Sequence, residues 1–580
     1  MILTKTQHIC LPEGNFFVAD FNEDAAELSL RDLDQTDGTV LLQQVGSDET
    51  APPSIILSPQ PSPTDPNDPL RWPRWKKHVA FVSVCAFTFL TNFGLGGLAP
   101  AFYVMSREFD KSMDEMSHLL LWPLLVLGIF NFFWVPIANF IGKRPVFVFA
   151  SGLLCASIIW GAVATSFKSL LWSSIVAAFA GSSTEALGVA IVNRIAHHEK
   201  IVRNVLTKEF LGPVLLARTW QQNGLLHVRT FSLDPTRPFI GKPHDNSGGN
   251  TLGPLICGFI VTNLSWRWHK WITVILTAIN FIAILLFVPE TRYKREKINA
   301  VSDASGTSNE RKVLADGKDP QYSIDDENVQ QLPKKTWVQE LSLWSGTSES
   351  NIAKTFLRPF PMIVYPAVIY AFLCYSVSLI ITVAVNIVNP FVLQAPPYNW
   401  SPQINGLINI PGILGNVFGS WAGGDLVDAW CKWRTTKHLG VYEPERRIYL
   451  VVIPLVITTS GSILFGYGVQ NALSWVSLFF GYGMVSVALT ALPTITMAYL
   501  SDCALPVNSD VLLLVNGLKN IVAWGFLYGV IPWVDSVGYA SSFGTMAGIF
   551  AGIVGVGAVL LIVYGASARH ASALWRVILE

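Results

Sequence analysis

The chain has 580 residues, 51% hydrophobic and 14% charged, where soluble proteins carry roughly a quarter charged residues. With a mean hydropathy of +0.41, a fully hydrated surface is excluded. Forty Lys and Arg balance forty Asp and Glu, so the clustered basic excess that a nucleic-acid partner demands is absent.

Residues 1–70 are rich in Asp, Glu, Ser, Pro and Gln and end in SPQPSPTDPNDP. Such a stretch cannot bury enough apolar surface to fold alone, and it has neither the apolar core nor the small-residue cleavage site of a signal peptide. Residues 1–76 therefore read as a disordered cytoplasmic tail, and the first membrane span serves as the targeting signal.

A bilayer core takes about 20 apolar residues to cross as a helix. Runs of that kind lie near 79–105, 118–138, 145–165, 170–192, 250–264 and 271–289. After a polar loop at 290–360 come six more, near 363–388, 404–423, 449–470, 474–499, 509–533 and 543–565. The pattern predicts an all-α polytopic membrane protein. Twelve transmembrane helices fall into six-helix halves at 77–289 and 361–567, followed by a cytoplasmic tail at 568–580.

Orientation follows from Lys and Arg near the span ends. Arg71, Arg74, Lys76 and Lys77 precede the first span, Lys143 and Arg144 follow the second, and the loop after the eighth holds Lys432, Arg434, Lys437, Arg446 and Arg447. The loops at 389–403, 471–473 and 534–542 contain no Lys or Arg. The bias places both termini and the central loop in the cytoplasm. It holds for both halves only if the short fifth run also crosses.

Seven cysteines occur singly, several of them (Cys85, Cys155, Cys257, Cys374) inside apolar runs. There they act as small hydrophobes, so no metal site, disulfide framework or cofactor is expected. No G-x-x-x-x-G-K-[ST] pattern offers an ATP site, and no nucleophile–base pair suggests an enzyme. By elimination an ion gradient drives the protein, protons first among the candidates.

Ionisable groups at bilayer depth are costly and mark functional sites or buried pairs. Glu185, about two-thirds through the fourth span, is the candidate proton carrier, with a packing role as the alternative. Lys519, near mid-depth of the eleventh, either lines the substrate cavity or is a structural cation. Asn92, Asn386 and Asn409 would add polar contacts to the cavity or to helix packing. The 20 Trp, 15 Tyr and 34 Phe suit interface belts and, in part, a cavity for apolar substrates.

Two groups of six spans about a long loop resemble the major facilitator superfamily. Gly142-Lys143-Arg144-Pro145 matches the end of that family's loop motif G-x-x-x-D-R-x-G-R-K-P, with Val135, Asn139 and Phe140 in place of its Gly, Asp and Arg. Gly424-Asp425-Leu426-Val427-Asp428 is a fainter echo in the second half. In the fifth span, Gly249, Gly253, Pro254 and Gly258 fall on the antiporter motif G-x-x-x-G-P-x-x-G-G, with Cys257 standing for one glycine. Three stretches are similar to the fungal drug:proton antiporter branch: Asp68–Pro73, Pro289–Tyr293 and Gly440–Arg447. The family's span-four arginine is missing, with Ala177 at the nearest register.

The resemblance implies a monomeric plasma-membrane carrier that exports a small apolar compound in exchange for protons. Proton-coupled import of a small cation, amine or nutrient is the alternative on the same fold, and a non-transporting sensor a third. Residues 193–249 depart from the family, in which a short loop joins spans four and five. They read as a translated intron or, alternatively, as a true insertion with a surface helix near 201–217.

The sequon Asn399-Trp400-Ser401 lies in a loop without Lys or Arg. An epitope inserted at residue 399 is expected to be stained on intact cells, with glycan occupancy reduced by Pro402. Staining only after permeabilisation would overturn the twelve-span orientation.

Overall fold

The computed structural model describes residues 40–41, 72–188, 248–291, 336–342, 352–437, 441–503 and 508–573. The expectations for the N-terminal tail as a whole and for 193–247 lie outside the described residues. Serine side chains start one set of helices. Ser112 accepts from the Glu115 amide while Glu115 accepts from the Ser112 amide, a reciprocal capping box. Ser166, Ser265 and Ser401 cap three further helices through the amides of Ser169, Arg267 and Ile404. These four caps head the second, fourth, sixth and eighth spans, so all lie at one end of the bundle, here the serine-capped end.

In the first half, α1 is Arg74–Gly96, α2 Phe102–Phe109, α3 Met113–Ile141, α4 Lys143–Ala162 and α5 Phe167–Ser183. Helix α5 widens into a π-turn over Thr184–Gly188. Then come α6, Gly248–Asn263, and α7, Trp266–Phe287. Two short helices, α8 (Trp337–Glu340) and α9 (Ile352–Leu357), belong to the central loop. The second half comprises α10 (Pro366–Leu393), α11 (Pro402–Gly406), α12 (Asn409–Gly423), α13 (Asp425–Lys437), α14 (Val452–Gln470) and α15 (Trp475–Cys503). It ends with α16 (Asn508–Leu527), α17 (Val530–Val537), α18 (Tyr539–Ala551) and α19 (Gly557–Ala573). A two-residue antiparallel pairing joins Val40–Leu41 to Val441–Tyr442.

Each of the twelve apolar runs corresponds to a helix. Among the described residues nine helices are long and apolar enough to cross a membrane; α5, α6 and α12 are shorter. The faces turned away from the bundle are apolar, as lipid contact requires: Ile279 is 61% exposed, Phe480 65% and Val563 62%. The sequence places Lys270 just before the sixth run, but α7 starts at Trp266 and carries Lys270 and His269 into the bundle, 2% and 0% exposed.

The halves meet along two seams, α3 against α16 and α6 against α11 and α12. Close approach depends on glycine, as in small-residue membrane packing. A Cβ on Gly128 of α3 would lie 2.9 Å from the Gly517 carbonyl oxygen of α16. A Cβ on Gly258 of α6 would lie 2.6 Å from the Pro402 oxygen and 3.1 Å from the Gly406 Cα. Gly258 thus sets the crossing of the two halves at this seam. On the opposite flank of α6, Gly253 faces the Gly97 Cα at 2.9 Å from its would-be Cβ. Because backbone cannot yield, Gly258→Val is expected to force the seam apart, lowering the Tm of the purified protein by several degrees, whereas Gly548→Val, at a glycine with open space, leaves it unchanged. Equal melting curves would show that the seam carries no stability.

Candidate functional site

The π-turn at the end of α5 turns the Glu185 carboxylate into the space between the halves. Its Oε2 accepts from Asn131 Nδ2 of α3 and from Asn520 Nδ2 of α16, both at 3.2 Å. Its Oε1 receives Lys519 Nζ of α16 at 3.5 Å. The Lys519 side chain is 4% exposed and that of Glu185 19%. On its other side the ammonium lies 4.1 Å from the ring centroid of Tyr375 in α10. Four helices, two from each half, therefore converge on one ion pair. The missing span-four arginine leaves Glu185 with a cation all the same, supplied from the other half.

The structure joins Glu185 and Lys519, which the sequence offers as separate candidates. It sets Asn386 and Asn409 apart. Both accept from the buried Tyr482 hydroxyl, at 3.0 and 3.4 Å, in a cluster built by α10, α12 and α15. Asn92 is half-buried on α1, with no hydrogen bond to the ion pair. Sequence reasoning misses Asn131, Tyr375 and Asn520, common residue types without a spacing signal. A lysine and a carboxylate inside apolar runs, each without a partner nearby in sequence, are the signal that could have joined them.

The buried Lys270 and His269 have a structural explanation. Lys270 Nζ donates to the Gly94 carbonyl at 3.2 Å. The His269 ring stacks on Phe93, centroids 4.8 Å apart, with Nε2 3.3 Å from the Phe93 carbonyl. Both carbonyls belong to the last turn of α1, whose orphan acceptors and negative dipole end favour a cation.

The loop-motif residues organise the charged end. Gly142, at φ 123°, closes α3 and opens α4 within one residue, a turn that requires glycine. The Lys143 and Arg144 amides then donate to the Glu290 carboxylate at 3.3 and 3.0 Å. An acid at the helix N-terminus is thus present although Asn139 replaces the motif's aspartate; it comes from Pro289-Glu290-Thr291. The Arg144 guanidinium, 2% exposed, donates to the Leu285 and Val288 carbonyls at the end of α7 and to Leu341 beyond α8. In the second half Arg447 bridges Asp428 at 2.7 Å and Asp502 at 3.0 Å, and Arg569 of α19 pairs with Glu445. Asn399 is exposed in the turn between α10 and α11, at φ 52°.

Removing one partner of a buried pair strands the other charge, whereas removing both does not. Glu185→Gln is therefore expected to lower the Tm more than Glu185→Gln/Lys519→Gln, with a coupling on the order of 1–3 kcal/mol in a double-mutant cycle. A purely additive double mutant would mean that the two charges do not interact.

Comparison with known proteins bears on the whole bundle. The family model described as Major Facilitator Superfamily matches residues 84–203 and 246–506. An MFS-type transporter of Schizosaccharomyces pombe is 23% identical over 83% of this chain and 83% of its own. An Aspergillus flavus protein named "Probable efflux pump mfs2" is 23% identical over 81% of this chain and 98% of its own. Among solved structures, a POT family transporter in complex with 5-aminolevulinic acid matches with a TM-score of 0.52 at 10% identity, over 86% of this chain and 97% of that one. Apolar helices of spanning length, two glycine seams and a family match over more than half of the sequence agree: this chain belongs to the Major Facilitator Superfamily of multi-pass membrane transporters.

Proposed function

We propose that the protein exports a small, largely apolar compound across the plasma membrane in exchange for protons, with both termini cytoplasmic and Glu185 as the proton carrier. The observation that carries this reading is the Glu185–Lys519 pair, the buried carboxylate–ammonium contact that links α5 of one half to α16 of the other. A proton arriving on Glu185 removes the negative charge and leaves Lys519 with Tyr375 as its remaining partner. Protonation thereby loosens a tie between the halves, and its loss re-forms that tie. Rocking of six-helix halves about a midplane site is the general mode of such carriers, and a proton that alters their attachment is coupled to the motion.

Export is supported by the antiporter motif at Gly249, Gly253, Pro254 and Gly258, and by the efflux-pump name of the Aspergillus flavus relative. Import of a cation, amine or nutrient by symport is the second reading, favoured by the acceptor character of Glu185, Asn131 and Tyr375. The compound itself is found by comparing what cells with and without the protein retain.

In proteoliposomes loaded with that compound, an imposed pH gradient is expected to drive its flux outward from the face bearing the termini. Glu185→Gln should abolish the gradient-driven component while folding and membrane delivery stay intact. Gradient-driven flux at the wild-type rate in Glu185→Gln would remove the carboxylate from the coupling step.

A further inference from the structure

Beside the two amide donors Asn131 and Asn520, the region of Glu185 is rich in acceptors. The carboxylate offers two oxygens, the Tyr375 ring offers its negative face, and on α3 and α16 two buried amide oxygens, Asn131 Oδ1 and Asn516 Oδ1, are without donors among the described residues. Asn131 is 0% exposed and Asn516 1%. Asn131 places its unused oxygen on the same amide that donates to Glu185. Asn516 lies three and four residues before Lys519 and Asn520, on the same face of α16. Against these acceptors stands, among the described residues, one cation, Lys519, shared between Glu185 and Tyr375. Its 3.5 Å contact with Glu185 is long for a charge-assisted hydrogen bond, which settles near ~2.8 Å. A carboxylate on one side and an aromatic face on the other is the environment that an ammonium seeks.

We infer that Lys519 is a tethered occupant of a site for a protonated amine: the transported compound carries an ammonium group that displaces Lys519 from between Glu185 and Tyr375. The incoming N–H groups are received by the Glu185 carboxylate and by the amide oxygens of Asn131 and Asn516, which the lysine leaves unfilled. Lys519 remains on α16 and withdraws by rotation of its own flexible stem. In its absence from the pair the substrate neutralises Glu185, so the site is never left with a bare carboxylate. The inference rests on the reading of this region as the transport site and takes the apolar body of the substrate from it; it does not depend on which ion is coupled.

A tethered competitor lowers the apparent affinity by the fraction of time the site stands free. The test is equilibrium binding to the purified full-length protein, measured by calorimetry with 2-phenylethylamine, protonated at neutral pH, and its uncharged counterpart 2-phenylethanol. The wild type is expected to prefer the amine. Lys519→Met should bind the amine at least about tenfold more tightly, Lys519→Arg should stay near the wild type, and neither should change the alcohol. Glu185→Gln should abolish the preference. The double variant Glu185→Gln/Lys519→Met, which strands no charge, should bind amine and alcohol equally and serves where Lys519→Met alone does not fold. Amine binding that is unchanged or weaker in Lys519→Met, or a persistent amine preference in the double variant, would overturn the inference. Binding at equilibrium needs no gradient, so loss of proton coupling in the flux assay with these results intact would refute the coupling alone.

Discussion

A single carboxylate–ammonium contact sets the terms on which the two halves meet. A lysine at the centre of a bilayer costs on the order of 3 kcal/mol on insertion scales. Two unit charges at the observed 3.5 Å attract by about 5 kcal/mol at an effective dielectric near ~20. The carboxylate carries a similar insertion cost, which the attraction offsets only in large part, so Lys519 is tolerated where it lies only while Glu185 is ionised or another anion takes its place. Since α5 and α16 belong to different halves, the protonation state of one residue is converted into the strength of a tie between two bodies. Asn131 and Asn520 hold the carboxylate in register, each at 3.2 Å, and bring α3 into the same arrangement.

The charges at the other end of the bundle obey a different logic. Glu290 takes the first amides of α4, and Arg144 takes the last carbonyls of α7; each sits at the helix end whose dipole it opposes. Arg447 joins Asp428 to Asp502 within the second half. These contacts bind neighbouring helices of one half to each other, and they stiffen that half without touching its relation to the other. The Arg144 contact to Leu341 extends the clamp to the central loop. A body so braced can move as a unit, which concentrates conformational change at the two seams and at the Glu185–Lys519 pair.

How far this was readable from sequence follows the range of each interaction. Apolar runs and the serines before the even-numbered spans are local signals, and all twelve runs became helices. Loop residues 142–144 were legible as a motif, yet the acid that completes it sits 146 positions away from Arg144 and could not be assigned by spacing. Glu185 and Lys519, separated by 334 positions, were visible only as two unpaired costs. Lys270 falls just outside the run at 271–289 because a hydropathy window trims a charged residue from a helix end, whereas its bond to the Gly94 carbonyl of α1 draws it inside. At the seam α6 and α11 trade side-chain bulk for backbone contact, with Gly258 against Gly406.

That trade explains why the interface can hold firmly and still exchange. Along the seams the halves touch through glycine backbones, aromatic pairs such as Trp122 with Trp524 and His118 with Tyr528, and single side-chain bonds such as Gln394 Nε2 to the Pro100 carbonyl at 2.8 Å. Membrane helices gain no hydrophobic driving force from meeting, since lipid is as apolar as the partner. Separating one end of a seam therefore replaces dispersion contacts with comparable ones to lipid or to water-exposed polar groups, at small net cost. The buried ion pair is the exception, because neither charge finds an equal partner in lipid. An interface of cheap contacts and one expensive pair responds to whatever satisfies that pair, and it is the pair, not the area of the seam, that decides which arrangement of the halves is populated.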